Sequence, residues 1–249
     1  MREWTVLSLR PYGQHAVAHS ASKVRGAKFL SCSSMKLEAI KNDGELKSSL
    51  TCNHIIVTSP AAARFAGRSP VFSVAEKSHW FALGEGTASV LKKMGVRNIS
   101  MPCDGSNSEN LLAMPELQDM NKQHVGLITA PGGRGLIEPA LVKRGAQVFV
   151  AHTYQRKVLP VTAKQLQAID NMPKPFAVLC SSHEVFRSLW QQITPVLQEK
   201  LRLGVWVLSS ARLQDLLRED GILNSTVSPS PQPESMLEHL MHVQMLHVR

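Results

Sequence analysis

Short polar loops that follow apolar runs are the part of this sequence best suited to chemistry. Each loop precedes a helical pattern, so its backbone N–H groups stand at a helix N-terminus, where the helix dipole attracts anions. The loop residues that we expect to bind an anionic ligand are Arg10, Ser59, Thr87, Gly132, Gly133, Arg134, Ser182 and Ser210. The alternative for any single loop is ordinary helix capping, which serine and threonine perform in most proteins.

The segment Gly132-Gly133-Arg134-Gly135 resembles a nucleotide-binding turn but lacks its pattern. The glycine spacing is not GxGxxG, and no Walker lysine follows, which argues against dinucleotide or ATP binding. The turn still allows the backbone to approach an anion, with Arg134 placed to pair with it.

Tyr154 is one of only two tyrosines in the chain, and it lies in the connecting segment His152-Thr153-Tyr154-Gln155-Arg156. A tyrosine phenol stays protonated near neutral pH and can donate a proton. The alternative is a tyrosine that only packs its ring and caps a backbone carbonyl.

The ten histidines do not form a metal-binding pattern. His239 and His242 stand three residues apart on the last helical segment, without an accompanying carboxylate motif, which favours a solvated helix face. His183 follows Ser181-Ser182, but no GxSxG elbow is present, which argues against a serine hydrolase.

The formal net charge is +9, which indicates an anionic partner. The lysines and arginines are dispersed, so a small polyanionic metabolite fits this charge at least as well as a nucleic acid, and we expect no nucleic-acid binding. Four scattered cysteines without a CxxC pair fit a reducing, cytoplasmic compartment. The chain has no membrane-length apolar run and no recognisable signal peptide, so we expect no membrane association.

Strand-like and helix-like segments alternate along the chain, which predicts an α/β fold of parallel sheets covered on both faces. The predicted strands are Thr5–Arg10, Ala27–Ser33, His54–Thr58, Trp80–Leu83, Val125–Thr129, Gln147–His152, Ala177–Ser181 and Val205–Leu208. The predicted helices are Gln14–Val24, Gly86–Met94, Arg134–Arg144, Glu184–Leu197, Ala211–Asp220 and Glu234–Leu246. Met101–Asn110 is expected to be a loop, and Met35–Ile40 and Tyr154–Val158 are expected to be extended connections.

The chain also repeats itself. Arg25-Gly26-Ala27 recurs as Arg144-Gly145-Ala146, and Thr58-Ser59-Pro60 has a counterpart at Cys180-Ser181-Ser182. Gly26, Gly95, Gly145 and Gly221 each follow a helical pattern, as helix-ending glycines do. Two similar α/β units are expected to form two lobes with a cleft.

The order of these motifs resembles the uroporphyrinogen-III synthase family nearly from end to end. The segments that carry the resemblance are Arg10-Pro11, Val57–Ala62, Leu83–Ala88, Gly133-Arg134, Arg144–Ala146, Tyr154–Arg156, Ser181-Ser182 and Ser209–Arg212. The resemblance implies two doubly wound parallel-sheet lobes joined by two extended linker segments. It places residues 1–35 and 157–249 in lobe one and residues 38–154 in lobe two.

The resemblance also implies a reaction, namely the cyclisation of the linear tetrapyrrole hydroxymethylbilane to uroporphyrinogen III. The family's enzymes are lyases of porphyrin and heme biosynthesis that remove water, invert ring D through a spiro intermediate and use no metal or organic cofactor. Tyr154 matches the family's proton-donating tyrosine, while Thr87, Ser59 and Ser182 match residues of its substrate loops. A cytoplasmic monomer is implied, with the preceding enzyme of the pathway as a candidate partner.

Two positions depart from the family pattern, because Ala211 and Ser33 stand where its members often have proline. Two other functions compete with the lyase: a bilobal module that binds a small anion without turnover, and a nucleotide-dependent enzyme.

Overall fold

The computed structural model of the chain describes residues 4–132 and 135–246, and for residues 244–246 it describes the backbone alone. Two compact units are present. Unit 1 comprises Met1–Leu37 and Arg156–Arg249, and unit 2 comprises Glu38–Gln155.

The elements alternate along the chain as the sequence predicts. The strands are β1 (Thr5–Leu9), β2 (Lys28–Cys32), β3 (Met35–Ala39), β4 (His54–Val57), β5 (His79–Ala82), β6 (Ile99–Ser100), β7 (His124–Thr129), β8 (Gln147–His152), β9 (Tyr154–Val158), β10 (Phe176–Cys180), β11 (Val205–Leu208) and β12 (Ser225–Val227). The helices are α1 (Ala16–Val24), α2 (Asp43–Leu50), α3 (Pro60–Ala66), α4 (Glu85–Lys93), α5 (Ser108–Leu112), α6 (Ile137–Lys143), α7 (Ala163–Asp170), α8 (His183–Trp190), α9 (Pro195–Arg202), α10 (Ala211–Arg218) and α11 (Pro233–Leu246).

Unit 1 contains a five-stranded parallel sheet in the order β12-β11-β10-β1-β2. Successive residues of β1 point to opposite faces, so Leu7 and Leu9 join a core that includes Trp206, while Val6 joins a second core that includes Leu237 of α11. Apolar side chains on both faces explain why the central strands read as unbroken apolar runs.

Unit 2 contains a second five-stranded parallel sheet, in the order β6-β5-β4-β7-β8. Its β4 and β5 supply Ile56 and Phe81 to a buried core that also includes Leu141 of α6. The predicted α/β fold with doubly wound parallel sheets is therefore confirmed. The strands β3 and β9 pair with each other as a separate two-stranded sheet, and each contains one of the points where the chain passes from one unit to the other.

The repeat in the sequence follows from a shared strand order. The strands β10, β11 and β12 occupy the positions in unit 1 that β4, β5 and β6 occupy in unit 2, while β1 and β2 correspond to β7 and β8. The helix-ending glycines occupy matching places and are in the left-handed region, with φ of 70° at Gly26, 89° at Gly145, 93° at Gly95 and 83° at Gly221.

The structure corrects one predicted helix and adds short elements. The predicted helix Glu184–Leu197 is wrong, because it is two helices, and Pro195 begins the second of them behind the capping residue Thr194. The apolar spacing continues across this break and concealed it. The strands β6 and β12 were not predicted, and α5 begins inside the segment that was expected to be a loop.

Candidate active site

Tyr154 occupies the first position of β9, directly after Thr153, which follows the end of β8. Thr153 is 5% exposed, and two hydrogen bonds fix its position between β8 and β9. Its backbone N–H donates to the Thr129 carbonyl at 3.0 Å, and its Oγ1 donates to the Ala62 carbonyl of α3 at 3.1 Å. The backbone that presents Tyr154 is therefore attached both to the carboxyl end of β7 and to helix α3.

The Tyr154 side chain is held by a ring contact and by its hydroxyl. Its ring stacks on Phe65 of α3, with centroids 5.4 Å apart and planes 16° from parallel. Its Oη lies 3.3 Å from Ser59 Oγ, and either hydroxyl can be the donor. The residue is only 4% exposed.

Ser59 begins α3 and is therefore both a cap and a contact of Tyr154. Its Oγ accepts a hydrogen bond from Ala62 N–H at 3.0 Å, and Pro60 occupies the first helical position. This arrangement fixes the hydroxyl that faces Tyr154, although the two residues are 95 positions apart in the sequence.

Ser59 also lies at the switch point of the unit 2 sheet, where the strand order reverses between β4 and β7. Open parallel sheets bind their ligands at this place, outside the carboxyl ends of the strands. Thr58 Oγ1 donates to Thr129 Oγ1 at 2.8 Å across the two strand ends. Gly132, in the loop after β7, has a φ of 79°, and a Cβ built on it would meet no atom of the described residues within 4 Å.

The remaining predicted residues of unit 2 are placed differently. Thr87 is 2% exposed in the first turn of α4, and within the described part of the chain it makes no hydrogen bond with Tyr154 or Ser59. Gly133 and Arg134 lie outside the described residues. The structure therefore brings Ser59, Gly132 and Tyr154 to the carboxyl ends of the unit 2 strands.

Unit 1 has its own switch point, between β1 and β10. Arg10 follows β1 there, and burial lowers the pKa of its guanidinium. Its Nη2 donates to the Pro231 carbonyl at 3.0 Å and lies 3.8 Å from Met236 Sδ. Its Nε is buried without a hydrogen-bond partner among the described residues. One nitrogen of the Arg10 guanidinium thus contacts the segment that leads into α11 and the first turn of that helix.

Ser182 and Ser210, the other predicted residues of unit 1, both cap helices. Ser182 Oγ accepts from Val185 N–H at 3.4 Å, and Ser210 Oγ accepts from Leu213 N–H at 3.2 Å. Capping is thus an observed role of all three predicted serines, and Ser59 also reaches Tyr154. The departure at Ala211 leaves the Ser210 cap in place.

Three polar groups were not named as site residues by the sequence analysis. Thr58 and Thr129 form the pair described above, and their positions at the ends of two predicted strands were the available signal. His15 was also missed, and nothing in its spacing marked it. Its Nε2 lies 2.8 Å from Ser33 Oγ and its Nδ1 lies 3.1 Å from Ser8 Oγ. Burial, assisted by the charge of Arg10, lowers the pKa of His15 from 6.5 to about 4.

The histidines of the last helix have protein partners. His239 Nε2 lies 2.6 Å from Thr226 Oγ1, and His242 Nδ1 lies 2.9 Å from the Glu238 carbonyl. Over residues 4–132 and 135–246, the acidic, histidine and cysteine side chains form no cluster of three that would suit a metal ion. No helix in those ranges is both long and apolar enough to cross a membrane.

Comparison with known proteins identifies a family model and several sequences that are similar to this chain. The family model described as Uroporphyrinogen-III synthase HemD matches residues 17–238. The uroporphyrinogen-III synthase of Escherichia coli is 30% identical over 162 residues, which cover 65% of this chain and 66% of the relative. The Salmonella typhimurium enzyme of the same name is 29% identical over 164 residues and is covered to the same extent. The matched region thus spans just under two thirds of the length of these relatives.

Solved structures have the same fold over nearly the full chain. A mutant uroporphyrinogen III synthase from Thermus thermophilus superposes with a TM-score of 0.67, at 17% identity, covering 97% of this chain and 98% of that one. The uroporphyrinogen-III synthetase of Helicobacter pylori gives a TM-score of 0.65 at 14% identity, covering 96% and 99%. At these identities the solved structures establish only that the fold is shared. The family model matches most of the sequence and therefore establishes the family. The chain belongs to the uroporphyrinogen-III synthase family.

Proposed function

We propose that this chain catalyses the cyclisation of hydroxymethylbilane to uroporphyrinogen III, with loss of water and inversion of ring D. The observation that carries the proposal is the contact of Tyr154 Oη with Ser59 Oγ at 3.3 Å, at the carboxyl ends of the unit 2 strands. Membership of the family supports the same conclusion, because its named relatives are uroporphyrinogen-III synthases.

In this proposal Tyr154 is the general acid. Its phenol transfers a proton to the hydroxyl of the hydroxymethyl group as the carbon–oxygen bond breaks, and water leaves. The remaining electron-poor azafulvene is attacked by the substituted carbon of ring D, which gives the spiro intermediate, and rearrangement then closes the macrocycle with ring D inverted. The proton lost when the ring regains its aromaticity restores the phenol, so protons balance over the cycle.

Ser59 stabilises the state in which Tyr154 has released its proton. Ser59 Oγ accepts from Ala62 N–H and retains its own proton, so it can donate to the Tyr154 oxygen when that oxygen becomes an anion. A hydrogen bond to a charged oxygen is stronger than one to a neutral oxygen. The hydrogen bond from Ser59 to Tyr154 is therefore strongest once the phenol has given its proton to the substrate. It stabilises the transition state more than the ground state.

The carboxylates of the substrate are bound by helix N-termini and by basic side chains of each unit. In unit 2 the groups are Ser59, Thr87, Gly132, Gly133 and Arg134, and in unit 1 they are Arg10, Ser182 and Ser210. Backbone N–H groups at a helix start bind anions without a formal positive charge, so they can hold a flexible tetrapyrrole in a reactive conformation. The net charge of +9 favours the approach of a substrate that carries eight carboxylates.

The proposal includes a cofactor-independent lyase that acts as a cytoplasmic monomer in heme biosynthesis, with the preceding enzyme of the pathway as a candidate partner. All four cysteines are free thiols, as a reducing compartment allows. Burial raises the pKa of Cys32 to about 12 and that of Cys180 to about 11, so neither is suited to act as a nucleophile.

One assay tests the function directly. Hydroxymethylbilane is generated enzymatically and supplied to the protein, and the type I and type III products are separated by chromatography. We expect type III product, whereas type I product alone, which forms spontaneously, would refute the proposal. Binding without turnover would instead identify the anion-binding module.

The role of Tyr154 is tested by Tyr154→Phe, with Tyr12→Phe as the matched control. Tyr12 is the other tyrosine of the chain and is 73% exposed. Loss of a general acid typically lowers turnover by about 10²- to 10⁴-fold, and we expect that loss for Tyr154→Phe with little change in KM. The control should match the unmodified protein, and equal turnover by Tyr154→Phe would remove Tyr154 from the mechanism.

A further inference from the structure

Two arginines, Arg64 in helix α3 and Arg68 two residues after its end, lie near Tyr154 without a carboxylate partner among the described residues. Arg64 and Arg68 are exposed, and neither forms an ion pair or a side-chain hydrogen bond within residues 4–132 and 135–246. Asp43, a carboxylate close to this segment, accepts a hydrogen bond from Ser69 Oγ at 2.6 Å. Five other arginines of the described residues do have such partners, in the ion pairs Arg25–Glu238, Arg156–Glu184, Arg187–Asp220, Arg202–Glu199 and Arg218–Asp215.

The ring of Phe65 links Arg68 to Tyr154, the candidate general acid. The guanidinium carbon of Arg68 lies 5.1 Å from the centroid of Phe65, and the same ring stacks on Tyr154 at 5.4 Å. Arg64 stands on α3, five residues after Ser59. Side chains on a helix lean toward its N-terminus, which directs Arg64 toward the end of α3 where Ser59 and Tyr154 meet.

The two charges also act on each other. Burial and the charge of Arg68 lower the pKa of the Arg64 guanidinium, while Tyr154 opposes this effect. Arg68 lies two residues beyond the end of α3, and like charges held close together repel each other. The folded protein therefore retains two mutually repelling cations that a bound anion would relieve.

From this arrangement we propose that Arg64 and Arg68 form an arginine pair that binds the two carboxylate arms of the pyrrole whose hydroxyl Tyr154 protonates. The inference rests on the proposed function. A linear tetrapyrrole with eight carboxylates has two for each pyrrole, which matches two guanidinium groups. Arginine suits this task because its planar group can donate two parallel hydrogen bonds to a carboxylate. The pair thereby positions the reacting ring, while the helix N-termini hold the other arms.

The test compares the variants Arg64→Gln, Arg68→Gln and the double variant with Lys93→Gln. Lys93 is an exposed cation in the last turn of the neighbouring helix α4 and serves as the charge-matched control. We expect each arginine variant to raise KM about 10-fold and the double variant about 100-fold, because each loses a charge-assisted hydrogen bond, with kcat changed less than about twofold. Lys93→Gln should leave both constants unchanged.

Thermal unfolding shows whether the variants fold. Because each substitution removes a repulsion, we expect Arg64→Gln and Arg68→Gln to melt at or above the temperature of the unmodified protein. Unchanged KM in the folded double variant would overturn the inference, and so would an equal rise of KM in Lys93→Gln.

A binding measurement separates this inference from the proposed function. The probe is uroporphyrin I, a fluorescent cyclic tetrapyrrole with eight carboxylates, titrated against the unmodified protein and the double variant. If the unmodified protein forms no type III product, the proposed function fails. In that case weaker uroporphyrin binding by the double variant supports a carboxylate site at the arginine pair, and equal binding overturns it.

Discussion

The contact between Ser59 and Tyr154 predicts how two substitutions combine. Ser59→Ala removes a helix cap, worth about 1 kcal/mol of stability, which the hydrogen bond from Ala62 N–H at 3.0 Å provides. In the proposed mechanism it also removes the donor to the charged Tyr154 oxygen, worth about 1.5–3 kcal/mol in the transition state. At about 1.36 kcal/mol for each factor of ten, turnover should fall about 10- to 100-fold.

The two losses are separable because only the second depends on the phenol. In a Tyr154→Phe background, Ser59→Ala should still cost about 1 kcal/mol of stability but lower turnover less than about twofold. Thr194→Ala is the matched control, since Thr194 Oγ1 caps α9 through Leu197 N–H at 3.4 Å and belongs to no candidate site.

The assays are urea unfolding for stability and type III product formation for turnover, on the four proteins of the cycle and the control. Thr194→Ala should lose about 1 kcal/mol of stability with unchanged turnover. If Ser59→Ala lowers turnover by the same factor with and without the Tyr154 hydroxyl, the two residues do not act as a unit. The proposed role of Ser59 would then be wrong.

Three further predictions concern stability. A Cβ at Gly126 would lie 2.2 Å from the Ser49 carbonyl oxygen, so Gly126→Ala should cost about 1–3 kcal/mol in urea unfolding. Gly44→Ala is the control, because a Cβ at Gly44 in helix α2 would meet no atom of the described residues within 4 Å. It should raise the free energy of unfolding by about 0.5–1 kcal/mol. Equal effects of the two substitutions would contradict the close packing of α2 on β7. His15 takes up a proton at about pH 4 in the folded chain and near pH 6.5 when unfolded, so stability should fall as pH drops between these values. His15→Asn should reduce that slope, and an unaltered slope would refute the assignment. Ser182→Ala and Ser210→Ala should each cost about 1 kcal/mol in unfolding as lost caps, and a loss below about 0.3 kcal/mol would show that these caps contribute little.

The sequence predicted those features that local chemistry determines. Gly26, Gly95, Gly145 and Gly221 could be predicted as helix ends because only a residue without a Cβ takes positive φ at low cost. The central strands were equally clear, because a strand buried on both faces is apolar at most of its positions. The edge strands β6 and β12 were missed because two or three residues are too few to show a period.

The candidate site was only partly predictable, because it depends on strand order. Tyr154 and Ser59 were both named from the sequence, but their contact requires α3 to lie against the turn at Thr153, which no local pattern encodes. Arg64 and Arg68 were not named at all. Exposed arginines are common, and only the structure shows that Arg68 lies on the ring of Phe65, which stacks on Tyr154, and that neither arginine has a carboxylate partner among the described residues.

The strand order has a consequence for synthesis on the ribosome. Unit 2 is a continuous stretch, Glu38–Gln155, and can complete its sheet as soon as that stretch has emerged. In unit 1, β1 pairs with β10, where Thr5 lies opposite Phe176, so β1 waits for this neighbour until about 170 further residues have been synthesised. Until then β1 can pair with β2 along one edge, and its other edge has no partner strand. The segment around β1 is therefore exposed to chaperones and to aggregation for longer than the strands of unit 2.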